Sequence, residues 1–190
     1  GALDVDGYFA QLDELAADFR DQQLSHGDVL ADCEALSEFL FRSGKFTGNS
    51  ASYYDPRNSF LNEVLDTGKG IPITLSLVLM ETGRRLGLPL RGVALPGHFI
   101  VSATDGGESL LLDPFNKGKV ITEADCARIV GDLTGGSFDR AMLGEVSNGQ
   151  IVTRMLQNLK GVFRDTNRPH DHAAMLELEA LLDVVPQPGG

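Results

Sequence analysis

A chain of 190 residues has room for one full domain and an appendage, and with 42% hydrophobic and 23% charged residues it can bury a core without disulfides. Against 27 Asp and Glu stand 16 Lys and Arg, a net charge of −11 that repels phosphate backbones and anionic lipid. No basic run longer than Arg84-Arg85 overrides that average, so neither nucleic acid nor a membrane is an expected partner.

Apolar residues recur at helical spacing over 5–19, as Phe9, Leu12, Leu15, Ala16 and Phe19. Gly27 and Asp28 break the pattern and restart it, with Asp28 as N-cap of a second helix that carries Val29, Leu30, Cys33, Leu36, Phe39 and Leu40 on one side. Residues 44–58 crowd Gly, Asn, Ser, Asp and Pro around Tyr53 and Tyr54 and read as a loop. A third helix, started by Asn58 or Ser59, carries Phe60, Leu61, Val64 and Leu65 and ends near Gly68. Pro72 then fits a first helical turn, Gly87 a stop, and Arg84 and Arg85 the negative end of the dipole. Between them the chain is apolar almost all round, which predicts a central, buried helix.

After Gly87 the period shortens to that of strands, over 90–95, 98–103 and 109–113, with Asp105-Gly106-Gly107 as a hairpin turn. Thr122 with Asp125 makes a capping box for a helix over 124–130. Two amphipathic helices close the chain, over 150–164 and 172–183. The fold class is therefore α+β: a buried helix on a small antiparallel sheet, with an N-terminal helical portion and a C-terminal helical hairpin. The expected division is a main domain over 1–148 and the hairpin over 149–190.

Two cysteines without a CxxC partner, Cys33 and Cys126, disfavour a disulfide framework or a zinc site. Both fall on apolar helical stripes and read as core thiols. His170 and His172 form an isolated HxH in a polar turn, and the glycine pairs lack a phosphate-loop lysine, so no metal or cofactor is expected. The longest apolar stretch, 71–80, is too short for a bilayer, and the first residues are acidic where a signal peptide is basic, so a cytoplasmic protein is expected.

Three pieces lie close together: the helix start at Pro72, the step Pro96-Gly97-His98-Phe99 onto a strand, and Asp113-Pro114 at the end of the next strand. A nucleophile at a helix N-terminus, a strand His as base and an Asp that orients it compose a triad of the papain type. On its own His98 reads either as a buried strand-linking partner of Asp113 or as part of a binding pocket. Tyr54, Asn58 and Asn62 read either as capping and loop hydrogen bonding or as the wall of a cleft facing His98, to which Ser76 and Pro96 belong.

The runs Tyr54-Asp55-Pro56-Arg57-Asn58-Ser59-Phe60-Leu61-Asn62, Gly70-Ile71-Pro72-Ile73-Thr74-Leu75-Ser76, Arg85-Leu86-Gly87-Leu88, Pro96-Gly97-His98-Phe99 and Leu112-Asp113-Pro114-Phe115-Asn116 resemble the SirB-like bacterial branch of the transglutaminase-like superfamily. The resemblance implies a papain/transglutaminase-like core followed by tetratricopeptide-like helices, which Met155-Leu156-Gln157-Asn158-Leu159-Lys160 would open. It matches His98 and Asp113 to the family's His and Asp and puts Pro72 where the nucleophilic Cys would stand. Proline has neither a thiol to attack a carbonyl nor an N–H to donate to an oxyanion. A non-catalytic protein with a protein or peptide partner and a regulatory role is the resulting expectation. The alternative is a hydrolase or acyl transferase that uses Ser76 or Thr74 with His98 and Asp113, which requires a hydroxyl within hydrogen-bond reach of the His98 ring.

Overall fold

A computed structural model describes residues 3–23 and 27–184. The chain opens with α1 (Val5–Gln23) and α2 (Val29–Ser37). The stripe on α1 buries Leu12, Ala16 and Phe19 but leaves Phe9 exposed. Asp28 caps α2 by accepting from the N–H of Ala31 at 2.9 Å. Instead of continuing as a regular helix, α2 widens into a π-helical turn, Glu38–Arg42. The extra residue per turn advances the stripe, so Leu40 and Phe41 are buried while Phe39 is only partly so.

A two-residue parallel pair, β1 (Thr47–Gly48) with β2 (Lys69–Gly70), ties the following loop to the front of the central helix. Between them a 3₁₀ turn, Pro56–Ser59, precedes α3 (Leu61–Thr67). The third helix thus starts later than Asn58 or Ser59, with Phe60 at its N-cap position. Asn58 is unavailable as a cap because its Oδ1, the atom that would accept from a helix N–H, already accepts from Asn49 Nδ2.

The central helix α4 (Pro72–Arg85) has the expected Pro start and is buried along most of its length. Leu75, Val78 and Leu79 meet Phe19 of α1 and Cys33 and Leu36 of α2 in the main core. Arg85 pairs with Asp13 of α1 at 2.5 Å and with Glu81 at 3.0 Å, clamping the two helices at their margin.

Strands β3 (Leu90–Val93), β4 (Ile100–Asp105), β5 (Glu108–Asp113) and β6 (Lys119–Ile121) form an antiparallel meander in chain order. Gly106 and Gly107, at φ 56° and 89°, make the tight turn that pairs Asp105 with Glu108. Strand alternation sends Leu90, Val101, Ala103 and Leu112 towards α4 and the main core. It sends Val93, Ile100, Leu111 and Ile121 to the other face. There they meet Cys126 and Val130 of α5 (Glu123–Thr134), the helix opened by the Thr122–Asp125 capping box. The sheet is therefore covered on both faces. The short β6, and the continuation of α5 to Thr134, go beyond the sequence reading.

The last two helices are α6 (Asn148–Asp165) and α7 (Pro169–Val184). Helix α7 starts earlier than residue 172, so His170 and His172 sit in its first turn. Ile151 of α6 packs with Ile71, Ile73 and Phe99, which seats the hairpin against the start of α4. Helix α7 is held to α6 by the ion pair of Lys160 with Glu179, and the hairpin bend by the Arg168 guanidinium 4.7 Å over the Phe163 ring.

Candidate functional site

The Pro96-Gly97 turn delivers His98 to the mouth of β4, two residues before the strand begins rather than on it. Its backbone N–H donates to the carbonyl of Leu95 at 3.1 Å, and its ring is 6% exposed. Asp113, the last residue of β5, is 1% exposed, and its Oδ1 lies 3.0 Å from His98 Nε2. The same carboxylate caps the 3₁₀ turn Pro114–Asn116, accepting from the Asn116 backbone N–H at 3.2 Å and from its side-chain Nδ2 at 2.7 Å. Burial acts to raise the Asp113 pKa, but the hydrogen bond and charge of His98 and the donors of Asn116 outweigh it, so the carboxyl is held below its ordinary value. An ionised carboxylate only accepts, so Nε2 of His98 carries the proton and donates. The other ring nitrogen, Nδ1, has no hydrogen-bond partner among the described residues.

A cavity of about 250 Å³ opens here, with Pro72 and His98 both in its lining. On one side Phe115 stands edge-on to His98, with centroids 6.2 Å apart, and Tyr53 stands edge-on to Phe115 at 5.9 Å. On the other side Ile129, Asp132 and Leu133 face the cavity from α5, spaced as one face of a helix, beside Gly97. The site thus offers an imidazole, a carboxylate and apolar walls. At the helix start it has proline and no thiol.

The structure brings together Pro72, His98 and Asp113 but separates them from most of the anticipated cleft wall. Tyr54 is 66% exposed and outside the lining, which takes its neighbour Tyr53 instead. The Asn58 side chain is spent on the loop, donating to Ser52 and Tyr53 and accepting from Asn49 at 2.9 Å. Asn62 lines a different, apolar groove between α1 and α3, with Tyr8, Leu61 and Leu65. Gly97, not Pro96, reaches the cavity.

Neither candidate hydroxyl bonds His98. Thr74 Oγ1 donates to the carbonyl of Asn58 at 2.7 Å and accepts from the N–H of Ile71 at 3.1 Å, so it serves the helix start. Ser76 Oγ is fully buried, has no hydrogen-bond partner among the described residues and lies outside the lining. The geometry that the hydroxyl-based alternative requires is absent. The thiols are no better placed for nucleophilic attack. Both are buried, and burial, followed by neighbouring carboxylates, pushes Cys33 and Cys126 up to about 11.

Tyr53, Phe115, Asn116 and the α5 residues escaped the sequence reading. Phe115 and Asn116 were within reach, because Asn three positions after Asp113 is the spacing of a capped turn. Ile129, Asp132 and Leu133 carry no local signal; only the packing of α5 on the outer face of the sheet brings them near His98.

Known proteins resemble this chain over most of its length. Residues 6–157 match the family model of the transglutaminase-like superfamily. The UPF0162 protein of Xylella fastidiosa (strain 9a5c) is 39% identical over 157 residues, 80% of this chain and 55% of its own length. That of Vibrio cholerae is 34% identical over 136 residues, 70% and 50% of the two chains. F-box only protein 21 of Mus musculus is 32% identical over 134 residues, 66% of this chain and 21% of its own. The chain spans about half the length of these bacterial relatives. With a buried helix starting at Pro72, a small antiparallel sheet packed on it, and a family match over most of its length, the chain belongs to the transglutaminase-like superfamily.

Proposed function

We propose that this chain is a non-catalytic, SirB-like member of the superfamily that binds a protein or peptide partner through the pocket above Pro72 and His98, in a regulatory and cytoplasmic role. One observation carries the reading: the residue that shares the pocket with His98 at the start of α4 is Pro72, and neither cysteine lines that pocket. His98 and Asp113 remain paired because the pair also joins the turn before β4 to the end of β5. In this reading α6 and α7 belong to a tetratricopeptide-like tail whose first helix braces the site from behind. The occurrence of a similar stretch in an F-box protein agrees with a setting among protein partners.

The test joins an activity assay to a repaired site. Wild-type protein is expected to release no ammonia from glutamine-containing peptides and to form no amide with added amines. Pro72→Cys is expected to gain a thiol that iodoacetamide labels at neutral pH, because the helix N-terminus and His98 favour the thiolate. Amidase or transamidase turnover by the wild type that disappears in His98→Ala would overturn the reading.

A further inference from the structure

Helix α1 carries an apolar stripe longer than the core it meets. Leu12, Ala16 and Phe19 are buried, but earlier on the same stripe Phe9 is 53% exposed and Val5 50%, and Leu3, just ahead of the helix, is exposed as well. With Leu61 and Leu65 of α3 they line a groove of about 180 Å³ that reaches down to Leu12. Apolar surface gathered in one place, rather than scattered, marks a docking surface. The groove shares no lining residue with the pocket beside His98. The charges around it are of one sign. Asp4 and Asp6 interleave in the chain with Leu3 and Val5, and Glu63 and Asp66 with Leu61 and Leu65. Tyr8, in the lining, donates its hydroxyl to Asp66 at 2.7 Å, and that bond, with burial and the charges of Asp66 and Glu63, raises its pKa. Asp13 of α1 has Arg85 for a partner, whereas Asp4, Asp6, Glu63 and Asp66 have no ion pair among the described residues. No lysine or arginine lines the groove, and Arg57, the cation that the charge of Glu63 reaches, is held by both oxygens of Asp55.

We infer that the groove between α1 and α3 docks a basic amphipathic helix of a partner protein, with apolar side chains of that helix in the groove and lysine or arginine beside them. Both walls are helices, which offer no free strand edge, so the occupant must satisfy its own backbone, as a helix does. From Val5 to Leu12 the α1 wall runs about 10 Å at the helical rise, two turns, which takes residues at i, i+3, i+4 and i+7 of the partner. A volume of about 180 Å³ is small for a small-molecule site and suits the anchoring side chains of a protein partner. The surrounding carboxylates keep their water, so they steer and orient a cationic helix while the apolar contacts hold it. A second copy of the chain would bring the same acids face to face across a two-fold axis, and the net charge of −11 adds to that repulsion.

The experiment is a titration of the full chain with three labelled peptides of about 15 residues, long enough to hold a helix, read by fluorescence anisotropy and amide chemical shifts. The first peptide carries a leucine stripe at i, i+3, i+4 and i+7 with lysines on the rest of its surface. The second has the same residues with the leucines scattered around the helix, and the third keeps the stripe but replaces lysine by glutamate. The first is expected to bind about tenfold more tightly than either of the others and to shift the amides of Tyr8, Phe9, Asn62 and Leu65. Phe9→Ala, an exposed position where alanine suits the helix, should weaken that binding about tenfold and leave Tm unchanged. Asp6→Asn with Glu63→Gln, which keeps every apolar contact, should weaken it about fivefold and flatten its salt dependence. Equal binding of the first two peptides, shifts confined to other surfaces, or an affinity that Phe9→Ala leaves unchanged overturns docking in the groove. Tighter binding of the glutamate peptide overturns the basic character of the partner. A dimer in sedimentation that Phe9→Ala dissociates gives the groove to a second copy and overturns the proposal. These variants leave the lining of the pocket beside His98 intact, so its binding reading stands or falls separately.

Discussion

Nε2 of His98 lies 3.0 Å from Oδ1 of Asp113, and both side chains are almost wholly withdrawn from water. In a working triad this contact orients a base. Beside Pro72 it retains another role, because the Asp113 carboxylate simultaneously caps the turn that carries Phe115 and Asn116. One carboxylate therefore holds His98, the end of β5 and one wall of the pocket.

The pH dependence of stability should report that role. The folded-state pKa of Asp113 lies below its ordinary value of 3.8, so its contribution is fully present above about pH 4 and is lost as pH falls through the lowered folded value. Urea unfolding from pH 7 to pH 3 is expected to show a shallower acid loss in Asp113→Asn than in the wild type. At pH 7, Asp113→Ala should cost about 3 kcal/mol, since it strands buried donors on His98 and Asn116. An acid loss as steep in the Asn variant as in the wild type would assign the acid sensitivity elsewhere.

Thr74 is expected to be structural. Replacing it with the near-isosteric Val leaves the Asn58 carbonyl and the Ile71 N–H without their partner, at a cost of about 1–3 kcal/mol in chemical denaturation. Thr74→Ser keeps the hydroxyl and should recover most of that loss. Equal stability of the Val variant and the wild type would contradict the capping role.

Thiol chemistry offers a direct check of the core. With both cysteines buried and raised to about 11, a coloured disulfide reagent should find no reactive thiol in the native protein and two after unfolding in denaturant. Rapid native reaction at either position would place that residue nearer the surface than its packing implies.

Gly97 should prove sensitive to substitution. Its φ of +78° disfavours any side chain, and an added Cβ would come 3.0 Å from the Cβ of Leu133, a pocket wall. Gly97→Ala is expected to cost about 1 kcal/mol or more, which for a chain this size lowers Tm by about 3 °C. Gly107→Ala, where an added Cβ meets nothing in the open hairpin turn, should cost less. Equal losses in the two variants would show that the contact with Leu133 adds nothing to the strain of the positive φ.

Legibility of the fold followed the range of the interaction behind each element. Asp28, the Pro start of α4, the Gly106–Gly107 turn and the Thr122–Asp125 box act within about one turn of chain, and each was readable from adjacent residues. Where α3 begins, how α2 widens at Glu38–Arg42 and that β1 meets β2 depend on partners elsewhere. Asn58, for example, loses its capping role because its Oδ1 accepts from Asn49 of the preceding loop. The candidate site divides in the same way.

The amino-acid sequence by itself determined the α+β plan, the step through His98 towards one strand and Asp113 at the end of the next, and the absence of a thiol at the head of the central helix. Only the tertiary structure decided what surrounds them. Tyr53, Pro72, His98, Phe115 and Asp132 come from five separate segments, and the packing of the sheet between α4 and α5 gathers them around one cavity. Such a gathering leaves no periodic trace in the chain, because each residue's contribution depends on where a distant element is buried, not on its neighbours in sequence.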